Sequence, residues 1–275
     1  SVGPPFYNAT FVPVMVPLLL LLPIGQSLAW KRGDLLGAAQ RNAFAFGIAV
    51  LAALALLFFT RGGPVLAPLG IGLGVFLVLA AGFDLGERIV ARASGWRAML
   101  SRARGLPRSA WGTAFAHAGI GLSIIGIAAQ AWSTEAITVL KPGERLTSGR
   151  YTIVLEAISP RTGPNFRAEV ARFQVFSGDR ELMPVEASKR VYTARSMPTT
   201  EAGIRTDGLS QAYVSLGEAQ DGGVAVRLYD KPLILLIWIG SLVMALGGGL
   251  SLTDRRFRLA APKRAAPAAA VQPAE

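Results

Sequence analysis

The chain has no cysteine and one histidine, His117, in 275 residues. Without cysteine, disulfide scaffolds, thiolate metal sites, thiol nucleophiles and c-type haem attachment within the chain are excluded. Charge is scarce, at 16% of residues, where a soluble domain carries about 25%. Acidic charge is scarcer still, with 17 Asp and Glu against 28 Lys and Arg and a net charge of +11. With 52% hydrophobic residues, this is the composition of a membrane protein.

About 20 apolar residues cross a bilayer. Five segments qualify, at roughly 11–30, 43–60, 64–83, 110–132 and 233–252. Pro13, Pro17 and Pro23 put kinks in the first, which neighbouring helices can accommodate. The basic residues occupy alternate connections: Lys31, Arg32 and Arg41, then Arg88, Arg92, Arg97, Arg102, Arg104 and Arg108, then Arg255, Arg256, Arg258, Lys263 and Arg264. Lys and Arg accumulate on the cytoplasmic side, which sets the N-terminus outside and the C-terminus inside. The surplus charge therefore follows membrane edges, and the reading is of no nucleic acid partner. Trp96 and Trp111 fit the headgroup level, and "DLGER" and "SGWRAML" fit interfacial elements.

Between the last two spans, "YTIVLEAI", "FRAEVARFQVF", "ELMPVEA", "QAYVSLG" and "VAVRLYD" are strand-like runs separated by turn-rich segments such as "SPRTGPN", "SGDR" and "TTEAGIRTDG". The expected fold is a membrane all-α bundle of about five transmembrane helices with an inserted antiparallel β periplasmic domain, a sandwich or small barrel. The expected divisions are 1–132, four spans with cytoplasmic basic loops; 133–231, the periplasmic β domain; 232–252, the fifth span; and 253–275, a basic, disordered cytoplasmic tail. The N-terminal "SVGPPFYN" suggests a shaped turn outside the first span and does not look like a signal peptide. It fits the interior of a longer chain or a processed end.

An ionisable group within a span faces a bundle interior or cavity. His117 lies about 10 Å into its span from Ala110 at about 1.5 Å per residue. Thr113, Ala114, Ile120, Gly121, Ile124 and Ile125 share its face. Three readings stand: an interhelical hydrogen bond with small residues easing packing, an axial haem ligand, and a proton relay or substrate site. On the haem reading Thr113 and Gly121 form the pocket wall, and a second histidine must come from elsewhere. The polar "SMPTTEAGI" reads as a long inter-strand loop offering Pro198, Thr199, Thr200 and Glu201 to a partner. Gly247, Gly248 and Gly249 read as close helix packing, and "GIGLG" at 70–74, inside an apolar span, is no nucleotide fingerprint.

"SVGPPFYNATFVPVMVPLLLLLPIG", "HAGIGLSIIGIAAQ", "SMPTTEAGI" with "QAYVSLGE", and "GGVAVRLYDKPLILLIWIGSLVMALGGGLSLTDRRFR" occur in an order that resembles the C-terminal part of the CcmF family, the haem lyase subunit of the cytochrome c maturation system. The resemblance implies a bacterial inner-membrane, multi-pass protein that helps attach haem covalently to apocytochrome c. It implies a transmembrane haem b with His117 as an axial ligand, reducing the substrate haem with electrons from membrane quinol. It implies as partners the haem chaperone CcmE, CcmH- and CcmI-type subunits, apocytochrome c and the N-terminal part of the same lyase. The family's tryptophan-rich motif and its other haem-binding histidines are absent, so the resemblance implies a chain that is catalytically incomplete alone. The competing expectation is a non-catalytic membrane transporter or assembly subunit with a periplasmic docking domain.

Overall fold

A computed structural model of the chain describes residues 3–28, 33–91, 93–194, 197–220 and 222–254. The basic residues expected at 31–32, at 92 and from Arg255 onward, Ser196, and the tail expected to be disordered lie outside the described residues.

The helices are α1 (Pro4–Thr10), α2 (Val12–Gln26), α3 (Leu35–Phe59), α4 (Leu66–Val90), α5 (Trp96–Gly105), α6 (Arg108–Ala129) and α7 (Leu235–Leu252). Four are long and apolar enough to cross a membrane: α3, α4, α6 with the 3-10 turn Gln130–Trp132 that extends it, and α7. The first expected span is divided. α2 has only 15 residues, and the segment read as a shaped turn is the helix α1. Phe11 between them is itself helical, its N–H donating to the Tyr7 carbonyl at 2.8 Å. The break falls where Pro13, lacking an N–H, cannot bond to the carbonyl of Ala9. The second span starts eight residues earlier than hydropathy suggests. Asp34 caps α3 by accepting from Gly37 N–H at 2.9 Å, and buried Asn42 is satisfied by donating to the Ala38 carbonyl.

α6 is the centre of the bundle, with α7 on one side and α4 on the other. Three glycines seven residues apart, Gly112, Gly119 and Gly126, face α7. Seven residues bring a helix to within about 20° of the same direction, so the three form one line. A Cβ at Gly112 would lie 2.5 Å from the Gly247 carbonyl oxygen, and one at Gly119 2.5 Å from that of Gly240. Backbone therefore meets backbone along this seam. Of the expected triplet only Gly247 takes part, because Gly248 and Gly249 face open space. Gly121 and Gly74 make the equivalent contact between α6 and α4, each 2.6 Å from the other's carbonyl oxygen if given a Cβ. The "GIGLG" run is thus packing surface on α4.

The inserted domain has nine strands: β1 (Thr134–Leu140), β2 (Arg145–Ser148), β3 (Tyr151–Thr162), β4 (Phe166–Ser177), β5 (Arg180–Tyr192), β6 (Pro198–Glu201), β7 (Gly203–Asp207), β8 (Ser210–Gln220) and β9 (Gly223–Lys231). They form two antiparallel sheets, β1-β9-β8-β7 and β2-β3-β4-β5-β6. Alternate residues of β3, Tyr151, Ile153 and Leu155, meet Phe173 and Val175 of β4 and Val214, Val226 and Leu228 of the other sheet in one apolar core. The domain is a sandwich, which settles the sandwich-or-barrel alternative. Two segments read as turns are strands. β3 runs through Pro160, tolerated because β2 is too short to pair with it there. "TTEAGIRTDG" holds β6 and β7, short polar edge strands joined through Ala202.

β1 leaves α6 and β9 enters α7, and the two strands pair from Thr134↔Asp230 to Leu140↔Val224. The α6–α7 pair thus continues directly into a strand pair. Gln130 Nε2 donates to the Pro232 carbonyl at 2.7 Å, Ser133 Oγ to the Asp230 carbonyl at 2.8 Å, and Leu235 N–H to the Leu209 carbonyl at 3.1 Å. Asp230, only 6% exposed, accepts from Arg150 Nη2 at 2.6 Å and from Arg150 Nε and N–H at 3.0 Å. Leu233 takes φ +51°, a conformation costly for a branched side chain and held here by the contacts on either side.

Helix propensity favours alanine over glycine by about 1 kcal/mol, while overpacking costs about 1–3 kcal/mol. Gly119→Ala should therefore lower the melting temperature of the detergent-solubilised chain. Gly82→Ala, where an added Cβ meets nothing within 4 Å, should leave it unchanged or raise it. The opposite signs, read in one thermal unfolding series, check the seam.

Candidate functional site

His117 lies on α6 two residues before Gly119. Two residues turn a helix by about 200°, so the imidazole is directed away from the α7 seam. It lies four residues before Gly121 and so on the side of α6 next to α4. The ring is half-buried, and no hydrogen bond joins it to any described residue. The interhelical hydrogen bond that was one of the three readings is therefore not made within the described residues. An acid that sequence reasoning passed over, Asp84 near the end of α4, acts on the imidazole electrostatically. It also accepts from Arg88 Nε at 3.0 Å. Its spacing four residues before Arg88 in "GFDLGER" was the available signal.

The neighbours divide. Thr113, one turn before His117, is exposed, as is Phe115, while Ala114 is buried and Ile120 and Ile124 are half-buried. Gly121 departs from the expected role of pocket wall. The room left by its missing side chain is filled by the Gly74 carbonyl, Leu77 and Val78 of α4. It brings α4 close beside the imidazole instead of leaving space there. The face around His117 and Thr113 thus combines a nitrogen donor without a protein partner and an apolar surround. An imidazole in such a setting is of the kind that can make an axial bond to a haem iron.

The segment at Pro198–Glu201 is not a loop. β6 pairs with the end of β5, Val191↔Pro198, Arg190↔Thr199, Lys189↔Thr200 and Ser188↔Glu201. The polarity read as loop composition belongs to a sheet edge, where charge and proline prevent further strand pairing. Pro198, Thr199 and Thr200 remain exposed, and Glu201 pairs with Arg190 at 3.5 Å. Lys189, beside Thr200, pairs with Glu218 of the other sheet. The edge is thus a fixed, polar surface at the corner where the chain crosses between sheets.

Ion pairs tie the sandwich surface. Asp207 is held below the usual carboxylate range by the hydrogen bond from Arg180, at 2.5 Å, and Glu186 by that from Arg161, at 2.9 Å. Arg180, Arg161 and Glu186 are exposed and Asp207 is only half-buried, so each pair contributes little. Because both folded values are depressed, the contribution is complete above the ordinary carboxylate range and is lost as pH falls through the folded values. The expected melting temperature is flat from about pH 7 to about pH 5 and declines below about pH 4. Arg180→Gln should shrink that acid decline slightly, without changing the neutral plateau by more than the small cost of one surface pair.

A family model described as the CcmF C-terminal beta-sandwich matches residues 131–232. The chain is 50% identical over 277 residues to the cytochrome c-type biogenesis protein CycK of Rhizobium meliloti (strain 1021), covering 98% of this chain and 40% of that protein. It is 33% identical over 273 residues to the cytochrome c-type biogenesis protein CcmF of Escherichia coli (strain K12), covering 98% of this chain and 40% of that protein. A solved structure described as cytochrome c heme lyase CcmF aligns with a TM-score of 0.74 at 21% identity, covering 92% of this chain and 41% of the other, and shares its fold. The chain spans about two-fifths of the length of these relatives.

Proposed function

The chain belongs to the CcmF family of cytochrome c-type biogenesis proteins, as a C-terminal part, and from that premise we propose that it is the C-terminal portion of a haem lyase whose His117 supplies one axial nitrogen to a transmembrane haem b. The observation that carries this reading is the half-buried imidazole on α6, without a protein hydrogen-bond partner among the described residues. When bound, haem b supplies one-electron redox chemistry, by which an incoming haem iron can be reduced before attachment to apocytochrome c.

The chain's own contribution is positional. The glycine seams hold α6 against α7 and α4, so the imidazole is presented from a rigid element rather than a loop. Thr113 offers a hydroxyl one turn away on the same face, and Gly121 lets α4 close over the flank of the site. The second axial donor and the substrate-haem site belong to the N-terminal part of the same lyase, and membrane quinol is the electron source.

Orientation follows from charge. Residues 133–231 hold 13 basic and 12 acidic residues, whereas the rest of the chain holds 15 and 5. The basic surplus falls in alternate connections of the sequence, which supports a reading with those connections in the cytoplasm of a bacterial inner membrane and the sandwich in the periplasm. There the sandwich would meet the haem chaperone CcmE, the CcmH- and CcmI-type subunits and apocytochrome c. The edge Pro198–Glu201 is the surface assigned to such a partner, because its exposed polar side chains are already ordered on a paired strand.

In the assembled lyase, His117→Ala is expected to abolish the b-type absorbance and reduce cytochrome c maturation at least tenfold, with helix content unchanged. Both persisting at wild-type level would remove the ligand role, whereas a wild-type assembly with no b-type absorbance would favour a non-catalytic transporter or assembly subunit. Replacing Thr199, Thr200 and Glu201 together by alanine is expected to reduce crosslinking to the presenting subunits several-fold while leaving the b-type absorbance intact. Unchanged crosslinking would remove the partner assignment.

A further inference from the structure

α5 is unlike the other helices. It has 10 residues, "WRAMLSRARG", and lies between α4 and α6. Those two helices run antiparallel, Gly70 beside Ala128 and Gly74 beside Gly121, so α4 ends and α6 begins at the same membrane face. α5 therefore sits at that face. At about 100° per residue, Trp96, Met99, Leu100 and Ala103 share one side, with Arg97 and Arg104 flanking it on one edge and Arg102 on the other. The helix is fastened to the bundle by Trp111 Nε1 donating to the Ala103 carbonyl at 3.2 Å. Met99 and Ala103 are half-buried, yet Trp96 is 68% and Leu100 43% exposed.

Basic charge is in excess here. No acidic residue occurs from 88 to 134, a stretch with six arginines. Arg88 is neutralised by Asp84, but among the described residues Arg97, Arg102 and Arg104 form no ion pair. A solvated basic face would not also expose a tryptophan and a leucine between its arginines. That combination suits the boundary between acyl chains and phosphates.

We propose that α5 is an interfacial helix that binds anionic phospholipid headgroups, with Arg97, Arg102 and Arg104 pairing with their phosphates and Trp96 and Leu100 entering the acyl boundary. The proposal does not depend on the haem reading. The test is native mass spectrometry of the detergent-solubilised chain titrated with phosphatidylglycerol or phosphatidylcholine. The wild-type chain is expected to retain phosphatidylglycerol preferentially, and each Arg→Gln substitution at 97, 102 or 104 to weaken that retention about fivefold, since a surface Arg near anionic lipid contributes about 1 kcal/mol. The triple variant loses the preference, whereas Arg61→Gln with Arg145→Gln keeps it. Trp96→Ala is expected to weaken retention of both lipids alike. Equal melting temperatures in phosphatidylcholine establish that the variants are folded. A triple variant that is folded and still prefers phosphatidylglycerol would overturn the assignment, as would a wild-type chain that does not discriminate between the lipids.

Discussion

Everything in this chain depends on how closely α6 can approach its neighbours. Lipid tails are as apolar as leucine, so helices in a bilayer gain little from hiding apolar surface from one another. What holds them is contact between backbones, and contact at this range requires glycine. Three seam glycines forgo about 3 kcal/mol of helix propensity relative to alanine. The close approach has to outweigh that deficit, and the carbonyls of Gly240 and Gly247, where a Cβ would otherwise sit, show how close it is. A second line through Gly121 and Gly74 fixes α4, so α6 is held on two sides, and His117 flanks the α4 contact, away from the α7 seam.

The same constraint passes into the sandwich. Because α6 and α7 lie backbone to backbone, β1 and β9 leave the membrane already paired, and their ladder begins within two residues of the helical turn at Gln130–Trp132. Asp230 locks this junction by binding Arg150 on the adjacent hairpin, and Leu233 bears an unfavourable φ to turn the chain into α7. Membrane site and soluble domain are thereby a mechanically continuous pair.

Much of this was readable in the residues. Long apolar runs marked the spans because nothing else in the chain needs them, and alternation of Val, Ile, Tyr and Phe marked the central strands of the sandwich. The lone imidazole was conspicuous because an ionisable group in a span has few reasons to be there. What escaped were features decided by partners far along the chain. β6 and β7 read as turn because edge strands avoid strand-like composition. The extra turns at the start of α3 depend on the Asp34 cap, which hydropathy ignores. Gly121 looked like room for a ligand until α4 was seen to fill it, and of three glycines at 247–249 only the first meets a carbonyl. Asp84 went unread because its influence on His117 arises between helices.

The single histidine makes one measurement especially direct. The chain can be produced with 15N-labelled histidine, assembled with its unlabelled partners, and examined by pulsed electron paramagnetic resonance of the ferric haem b. A 15N hyperfine coupling to the iron is expected, and its only source in this chain is His117. A haem b signal with no 15N coupling would show that the iron is ligated by other residues and that α6 holds its imidazole for another purpose.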